Sequence, residues 1–200
     1  MKTDVIRQNL IDSTIHVVAT DGLEKASTKL ISKNISTNEV YIYRCFADKE
    51  DMLLQAFSSL DEELFAVTMK HVKIMNMAQM SFEERSRLYF FLVWEFLLGN
   101  KDKCLTFVQY FYSPSFAKNA AADHELRYKP LVEKFKVAFK EDAEVWMILN
   151  HILNVMLDFA VKVHNGFMPN DAIYVEHVFR VVYLSVLQYL KNAKEGVSWL

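Results

Sequence analysis

Glycine and proline are scarce in this chain, and their scarcity constrains the fold more than any other sequence feature. Four glycines and three prolines occur among 200 residues, whereas sandwiches, barrels and Rossmann-type sheets need many more such turn residues. Apolar residues recur instead at helical spacing, as they do before Gly22 at Ile6, Leu10, Ile15 and Val18. The chain is therefore predicted to be all-α.

Breaks in the helical periodicity divide the chain into nine predicted segments. The helices are predicted at residues 5–20, 28–35, 39–45, 49–75, 82–98, 101–113, 117–140, 143–165 and 171–193. Ser27 and Asp48 are the predicted N-caps of the second and fourth helices. Pro130 is expected to interrupt the seventh, because proline lacks an N–H group and clashes with the preceding turn.

Charge and cysteine usage indicate a soluble cytoplasmic protein. The formal net charge is −2, so any contact with DNA must come from a local surface rather than from a basic protein as a whole. Cys45 and Cys104 form neither a disulfide framework nor a zinc-binding spacing, and both are predicted to be apolar side chains in a reducing compartment. The first ten residues lack a secretory apolar core. The apolar run 89–98 is short and contains Glu95, so we expect a buried helix and no membrane contact.

No pattern in the sequence predicts catalysis. The six histidines form no HExxH or Glu-x-x-His motif, and four glycines leave no glycine-rich phosphate loop. No serine or cysteine stands in a nucleophile elbow. We therefore expect a protein that is not an enzyme and that holds neither a metal nor a cofactor.

The three predicted helices at the start of the chain describe a helix-turn-helix unit, in which the second helix of the pair enters the major groove of DNA. The motifs in this region are Ile11-Asp12-Ser13-Thr14, Gly22-Leu23, Ile31-Ser32-Lys33-Asn34, Tyr41-Ile42-Tyr43-Arg44-Cys45-Phe46, Asp48-Lys49-Glu50 and Leu53. Together, from about Leu10 to Phe57, they resemble the N-terminal signature of the tetracycline-repressor (TetR) family of transcription regulators. Later residues match that family only in helical layout.

The resemblance implies a domain organisation and a function. It implies a helix-turn-helix DNA-binding domain over residues 1–48 and a helical ligand-binding and dimerisation domain over residues 49–200. The implied function is that of a homodimeric repressor, released from a palindromic operator by a small hydrophobic or amphipathic ligand. Tyr43 and Lys49 match the family's phosphate contacts. The implied DNA-binding residues are Ser27, Thr37, Asn38, Glu39, Tyr41, Tyr43, Arg44 and Lys49.

Three departures from the family pattern leave a second hypothesis open. Ile35-Ser36 replaces the usual Ala-Gly in the turn, and Val40 replaces a glycine in the reader helix. Residues 1–57 contain seven basic and eight acidic side chains, a poor balance for neutralising phosphates. Either these charges segregate to opposite faces, or a TetR-like dimer with weakened DNA binding acts through a protein partner. Phe46 is predicted to lie in the core with Ile42.

The later helices are apolar enough to form a core, a ligand pocket and a dimer interface, and the sequence does not separate these roles. The candidate ligand-binding residues are Phe90, Trp94, Phe107, Phe111, Trp146, His151, Asn154 and Phe159. A polar stripe of His151, Asn154, Asp158 and Lys162 fits either a solvated face or pocket anchors. Because the last helix is apolar on more than one face, it is predicted to form a four-helix dimer interface through Val178, Val182 and Leu187.

Overall fold

The computed structural model describes residues 2–191, and its regular structure there is helical apart from one isolated antiparallel bridge between Phe139 and Leu190. The α-helices are α1 (Lys2–Asp21), α2 (Thr28–Asn34), α3 (Val40–Cys45), α4 (Lys49–His71), α5 (Phe82–Gly99), α6 (Lys101–Phe111), α7 (Pro114–Asn119), α8 (Ala121–Phe135), α9 (Val145–His164) and α10 (Ala172–Val186). Short 3-10 turns follow α4 at Val72–Asn76 and α10 at Leu187–Tyr189. The predicted all-α class is confirmed.

The chain divides into two compact units. Within the described range, the first comprises residues 2–64 and 100–125, and the second comprises residues 65–99 and 126–191. A division by compactness does not test the functional boundary predicted between residues 48 and 49, which stays a prediction.

In the first unit, α6 holds the end of α1 through side-chain hydrogen bonds to its backbone. Gln109 donates from Nε2 to the carbonyl of Val18 over 3.0 Å, and its Oε1 accepts from the N–H of Leu23 over 2.9 Å. The Thr106 hydroxyl donates to the carbonyl of Ile15 over 2.7 Å. The bonds of Gln109 reach backbone groups at the end of α1 and just after it, where the helix leaves hydrogen-bonding capacity unused. They attach the helix-turn-helix unit to a helix about 90 residues further along the chain.

In the second unit, α5, α9 and α10 pack on one another. Phe90 stacks on Trp94 with ring centroids 5.7 Å apart and meets the edge of Phe179 at 5.5 Å. The Arg87 guanidinium pairs with Glu176 over 2.9 Å and lies over the ring of Phe179. The α9 helix (Val145–His164) is long and apolar enough to cross a bilayer by length and composition alone, a test that the core helix of a soluble protein also passes.

The largest errors in the predicted boundaries are at two places. Pro130 lies inside α8, and the break comes earlier, at Ala120 between α7 and α8. Proline removes one hydrogen bond but does not end this helix, because the buried side chains that surround it hold the helix in the core. Those side chains are Tyr128, Leu131, Val132 and Phe135. The last helix ends at Val186 rather than at residue 193; residues 192 and 193 lie outside the described residues.

Both cysteines are free, and Cys104 is buried as an apolar side chain. Burial raises the pKa of its thiol to about 12 because it disfavours the charged thiolate. Cys104 therefore stays protonated at neutral pH, in agreement with the prediction that it packs as an apolar residue.

Candidate functional site

The turn between α2 and α3 has the backbone geometry that a glycine usually supplies. Ser36 takes a φ of +51°, its N–H donates to the carbonyl of Lys33, and the N–H of Thr37 donates to the carbonyl of Ser32. This pattern is a Schellman motif with Ser36 at the left-handed position. That conformation costs a residue with a side chain about 1–2 kcal/mol. The turn therefore forms without the family's glycine, at a cost in backbone strain.

Side-chain hydrogen bonds set the positions of α2 and α3. The Ser13 hydroxyl on α1 donates to the carbonyl of Ile31 over 2.8 Å and accepts from the amide of Asn34 over 3.0 Å. The Thr28 hydroxyl donates to the carboxylate of Glu39 over 2.8 Å. Glu39, predicted as a DNA-binding residue, thus uses one carboxylate oxygen to join α2 to the start of α3.

The predicted N-caps of α2 and α4 are both confirmed. Ser27 accepts from the N–H of Leu30, and Asp48 accepts from the N–H of Asp51 over 2.9 Å. The Asp51 carboxylate in turn accepts from the N–H of Ala47 over 2.8 Å. This reciprocal arrangement satisfies two donors at the start of α4, beside Lys49.

The outer face of α3 carries polar and aromatic side chains. Tyr43 is 61% exposed, Arg44 is exposed, and the Arg44 guanidinium lies 5.2 Å from the ring centre of Tyr41. Ile42 and Phe46 are buried beneath them, which confirms the prediction for Phe46. A helix with this division has one face in the core and one face free to meet a partner.

The other predicted DNA-binding residues surround this outer face. Asn38 is exposed, and its side-chain oxygen accepts from the N–H of Val40 over 2.9 Å. Thr37 and Lys49 are half-buried, and Ser27 is exposed. Ser27 therefore caps α2 and Asn38 closes a local turn onto the N–H of Val40, and both keep further hydrogen-bonding capacity toward solvent.

Charge in the first 57 residues is unevenly distributed along the chain. Residues 27–49 contain four basic and two acidic side chains, whereas the excess of acids lies on both sides of that segment. Several of those outer acids are engaged within the protein: Asp51 in the cap, Asp12 with Gln8, and Glu50 with Ser115. The helix-turn-helix segment is therefore locally basic in a chain of net negative charge.

The candidate ligand-binding residues fall into both units. Phe107 and Phe111 belong to the first unit, and the other six belong to the second. Phe90 and Trp94 are buried, whereas Trp146, Asn154 and Phe159 are half-buried. His151 is exposed on α9, and its Nε2 lies 3.1 Å from the hydroxyl of Ser185 on α10.

The polar stripe on α9 is divided between solvent and core. Lys162 pairs with Asp158 over 2.6 Å at the surface, and His151 is also exposed, as the solvated-face interpretation predicts. Asn154 departs from it, because its side-chain oxygen is buried. The stripe is thus a solvated face with one inward-facing amide.

The buried polar atoms without a hydrogen-bond partner among the described residues include three on α5 and α9 of the second unit. They are Nε1 of Trp94 and the side-chain oxygens of Asn150 and Asn154. A buried polar atom without a partner costs about 1–3 kcal/mol, so native proteins keep few of them. Trp94 and Asn154 were candidate ligand residues from the sequence. Asn150 was missed, since nothing in its sequence context separates it from a surface asparagine.

The predicted dimer residues are mostly in the core of the protomer. Val178 and Val182 are 2% and 5% exposed, and Leu187 is half-buried. The outward face of α10 instead presents Val181 and Leu184, which are 52% and 50% exposed. This burial favours Val181 and Leu184 over Val178 and Val182 as contacts for a second copy, and the dimer interface itself stays a prediction.

Among the described residues, no group of three or more His, Cys, Asp or Glu side chains could hold a metal ion.

No family model matches the chain. The HTH-type nicotine-responsive transcriptional repressor HdnoR of Paenarthrobacter nicotinovorans is 33% identical over 58 residues. That match spans 29% of this chain and only 30% of the length of the repressor.

Solved structures match over nearly the whole chain. A TetR family transcription regulator from Marinobacter aquaeolei VT8 superposes with a TM-score of 0.75 at 14% identity, covering 92% of this chain and 96% of that protein. The fatty acid degradation regulator FadR from Bacillus halodurans superposes with a TM-score of 0.63 at 18% identity, covering 88% and 93%. These likenesses establish the fold that the motifs of residues 10–57 imply.

Proposed function

From the TetR-family fold of this chain, we propose that it is a homodimeric DNA-binding transcription regulator of the cytoplasm, released from a palindromic operator by a small hydrophobic or amphipathic ligand. The observation that carries the proposal is the exposed face of α3, where Tyr43 and Arg44 stand above the buried Ile42 and Phe46. A short amphipathic helix, joined by a tight turn to α2, has the dimensions of a major-groove reader.

The local charge favours DNA over a protein partner. Residues 27–49 carry two more basic than acidic side chains, and basic side chains beside phosphates release counterions on binding. Tyr43 and Lys49 are assigned to phosphates, as are the N-terminal N–H groups of α2 beside Ser27. We assign contacts with base edges or with the adjacent DNA backbone to Thr37, Asn38, Tyr41 and Arg44. We assign Glu39 to the positioning of α3 against α2, since its carboxylate already accepts a hydrogen bond from the Thr28 hydroxyl.

Tyr43→Phe and Lys49→Ala are expected to weaken DNA binding without affecting assembly. Each change removes one phosphate contact, so affinity should fall about fivefold for every DNA sequence that the protein binds. The Lys49→Ala variant should also reduce the slope of log affinity against log salt concentration by about 1. The measurement is fluorescence anisotropy on DNA selected from a random pool by the purified protein, at four salt concentrations.

The matched control is Lys25→Ala, which removes an exposed lysine from the α1–α2 connection outside residues 27–49. It should leave both the affinity and the salt slope close to those of the parent. If the parent binds no DNA more tightly than a random duplex at low salt, the reader assignment fails, and the dimer that acts through a protein partner becomes the better hypothesis.

Dimerisation is assigned to the outer faces of α9 and α10. Val181 and Leu184 on α10, together with exposed Met147 and His151 on α9, form an apolar surface with a polar margin. Two such helix pairs related by a two-fold axis form a four-helix interface that buries the patch on both copies. The same two-fold axis matches the symmetry of a palindromic operator.

Ligand binding is assigned to the second unit around Trp94, Asn150 and Asn154. Their three polar atoms are buried without a hydrogen-bond partner among the described residues, and a few polar groups in an apolar surrounding are typical of small-molecule sites. A ligand that reaches these atoms satisfies them, and it shifts the equilibrium toward whichever conformation it binds more tightly. Phe90, Trp146 and Phe159 remain candidate lining residues in the same unit. Phe107 and Phe111 lie in the first unit, and their role in ligand binding stays a prediction from the sequence.

Trp94→Phe is expected to weaken ligand binding strongly while lowering the stability of the protein only slightly. Because Nε1 of Trp94 has no hydrogen-bond partner among the described residues, its removal breaks no hydrogen bond there, and the melting temperature should fall only by the several degrees that the smaller ring costs in packing. The concentration of effector needed to release DNA should rise about tenfold, by the loss of one ligand hydrogen bond. Effectors are first found by screening amphipathic compounds for release of labelled DNA. A variant whose effector response equals that of the parent would remove Trp94 from the ligand site.

A further inference from the structure

A groove of about 910 Å³ lies in the second unit, away from all eight candidate ligand residues. Its walls come from residues 72–85, residues 133–138 and the chain around Leu190. Apolar side chains line much of it: Met75, Met80, Phe82, Phe135, Val137 and Leu190. The volume is in the range of small-molecule sites, about 300–1,000 Å³.

Hydrogen bonds hold two of these walls in place. The Arg85 guanidinium donates to the carbonyl of Met75 over 2.7 Å, which fixes the chain between α4 and α5. The N–H of Lys191 donates to the carbonyl of Ala138 over 3.1 Å, which joins the last described residues to the segment after α8. A groove held in this way exists before a ligand arrives, so little ordering cost is paid on binding.

The charged groups of the groove leave an excess of positive charge. Lys73, Lys134 and Lys191 line it, and none of the three has an ion-pair partner among residues 2–191. The acidic residues that line it are neutralised from outside: Glu83 pairs with Arg87, and Glu133 pairs with Lys136, both over 2.6 Å. An anion at the lysines is therefore attracted without displacing an existing ion pair.

We propose that this groove binds an amphipathic anion, with its carboxylate among Lys73, Lys134 and Lys191 and its hydrocarbon part against Met75, Met80 and Phe82. Apolar walls beside unpaired lysines match a molecule that has both properties. A second copy of this chain is a poorer occupant, because a two-fold contact through the groove would bring the same lysines together. The site is separate from the one around Trp94, and the inference does not depend on DNA binding.

The test is isothermal titration of the full-length protein with decanoate, and with decyltrimethylammonium as a probe of equal chain length and opposite charge. The parent should bind decanoate about tenfold more tightly than the cation. Lys73→Gln combined with Lys134→Gln should weaken decanoate binding about fivefold. Val137→Asp, at a side chain 75% exposed, should weaken it about tenfold by placing a charge in the apolar wall.

Two control variants distinguish the groove from a general surface effect. Lys129→Gln and Leu126→Asp change exposed residues of α8 that do not line the groove, and both should bind decanoate like the parent. Equal binding of decanoate and the cation overturns the proposal, as does binding that Lys73→Gln/Lys134→Gln and Val137→Asp leave intact. Loss of decanoate binding in Trp94→Phe alone would assign the ligand to the core site instead. The proposal is also overturned if the parent binds no decanoate and Val137→Asp sediments as a smaller species than the parent. That result would assign the groove to a second copy of the chain.

Discussion

Replacing Asp61 by alanine is expected to lower the free energy of unfolding by about 3–5 kcal/mol, the cost of removing one partner of a buried charged or polar pair. Asp61 on α4 is fully buried, and its Oδ1 lies 2.8 Å from Nδ1 of His124, which is 3% exposed. The His124 ring is also enclosed by the edges of Phe111 and Phe116. Without the carboxylate, the His124 imidazole is still removed from water on folding, but it no longer makes the contact that compensates for its desolvation.

A second His–Asp pair in the same unit provides the matched control. His16 and Asp102 approach to 2.7 Å through the same atom types, but both side chains are about half exposed. Asp102→Ala should therefore cost no more than about 1 kcal/mol, because water screens the pair and replaces the lost bond. Urea denaturation followed by circular dichroism measures both values. Equal costs for the two variants would refute the claim that burial makes the Asp61–His124 contact important to the first unit.

Replacing both Val181 and Leu184 by glutamate is expected to convert the proposed dimer into a monomer of 23.4 kDa. Four glutamates would then face one another across the proposed two-fold interface, and the cost of burying them exceeds any gain from the surrounding contacts. A monomer engages one half-site at a time, so affinity for a palindromic site should fall about a hundredfold or more. Sedimentation velocity and fluorescence anisotropy measure the two effects.

Two further variants locate the interface on the outer face of α10. Leu126→Glu changes an exposed apolar residue of α8 and should leave the protein dimeric. Val182→Ala changes a buried residue on the inner face, so it should lower stability without changing assembly. A folded Val181→Glu/Leu184→Glu protein that remains dimeric would place the interface on another surface, and the proposed role of α9 and α10 in assembly would be wrong.

The local features of this protein could be predicted from its sequence because each depends on neighbouring residues. Scarce glycine and proline with helical periodicity predicted the all-α class, and Ser27 and Asp48 were identified as caps before their hydrogen bonds were known. The motifs of residues 10–57 predicted the helix-turn-helix layout and the family fold. Phe46 was predicted to be buried, since it shares an apolar face with Ile42.

Contacts between distant residues could not be predicted in the same way. The Gln109 side chain pairs with Val18 and Leu23 across more than 80 residues, and no local pattern indicates it. The helix through Pro130 continues because tertiary packing outweighs the hydrogen bond that proline removes. The groove beside Lys73 and Lys134 is formed by three separate segments whose sequences give no sign that they meet.

The two faces of α10 illustrate the same limit within a single helix. Apolar residues surround much of its circumference, so the periodicity alone indicated burial but not direction, and Val178 and Val182 were assigned to a dimer. The packing of α5 and α9 decided that those two side chains face the core and that Val181 and Leu184 face outward. A sequence determines that a helix has apolar surface to bury. Which side is buried depends on the neighbouring helices, because burial is a property of the surface that two elements share.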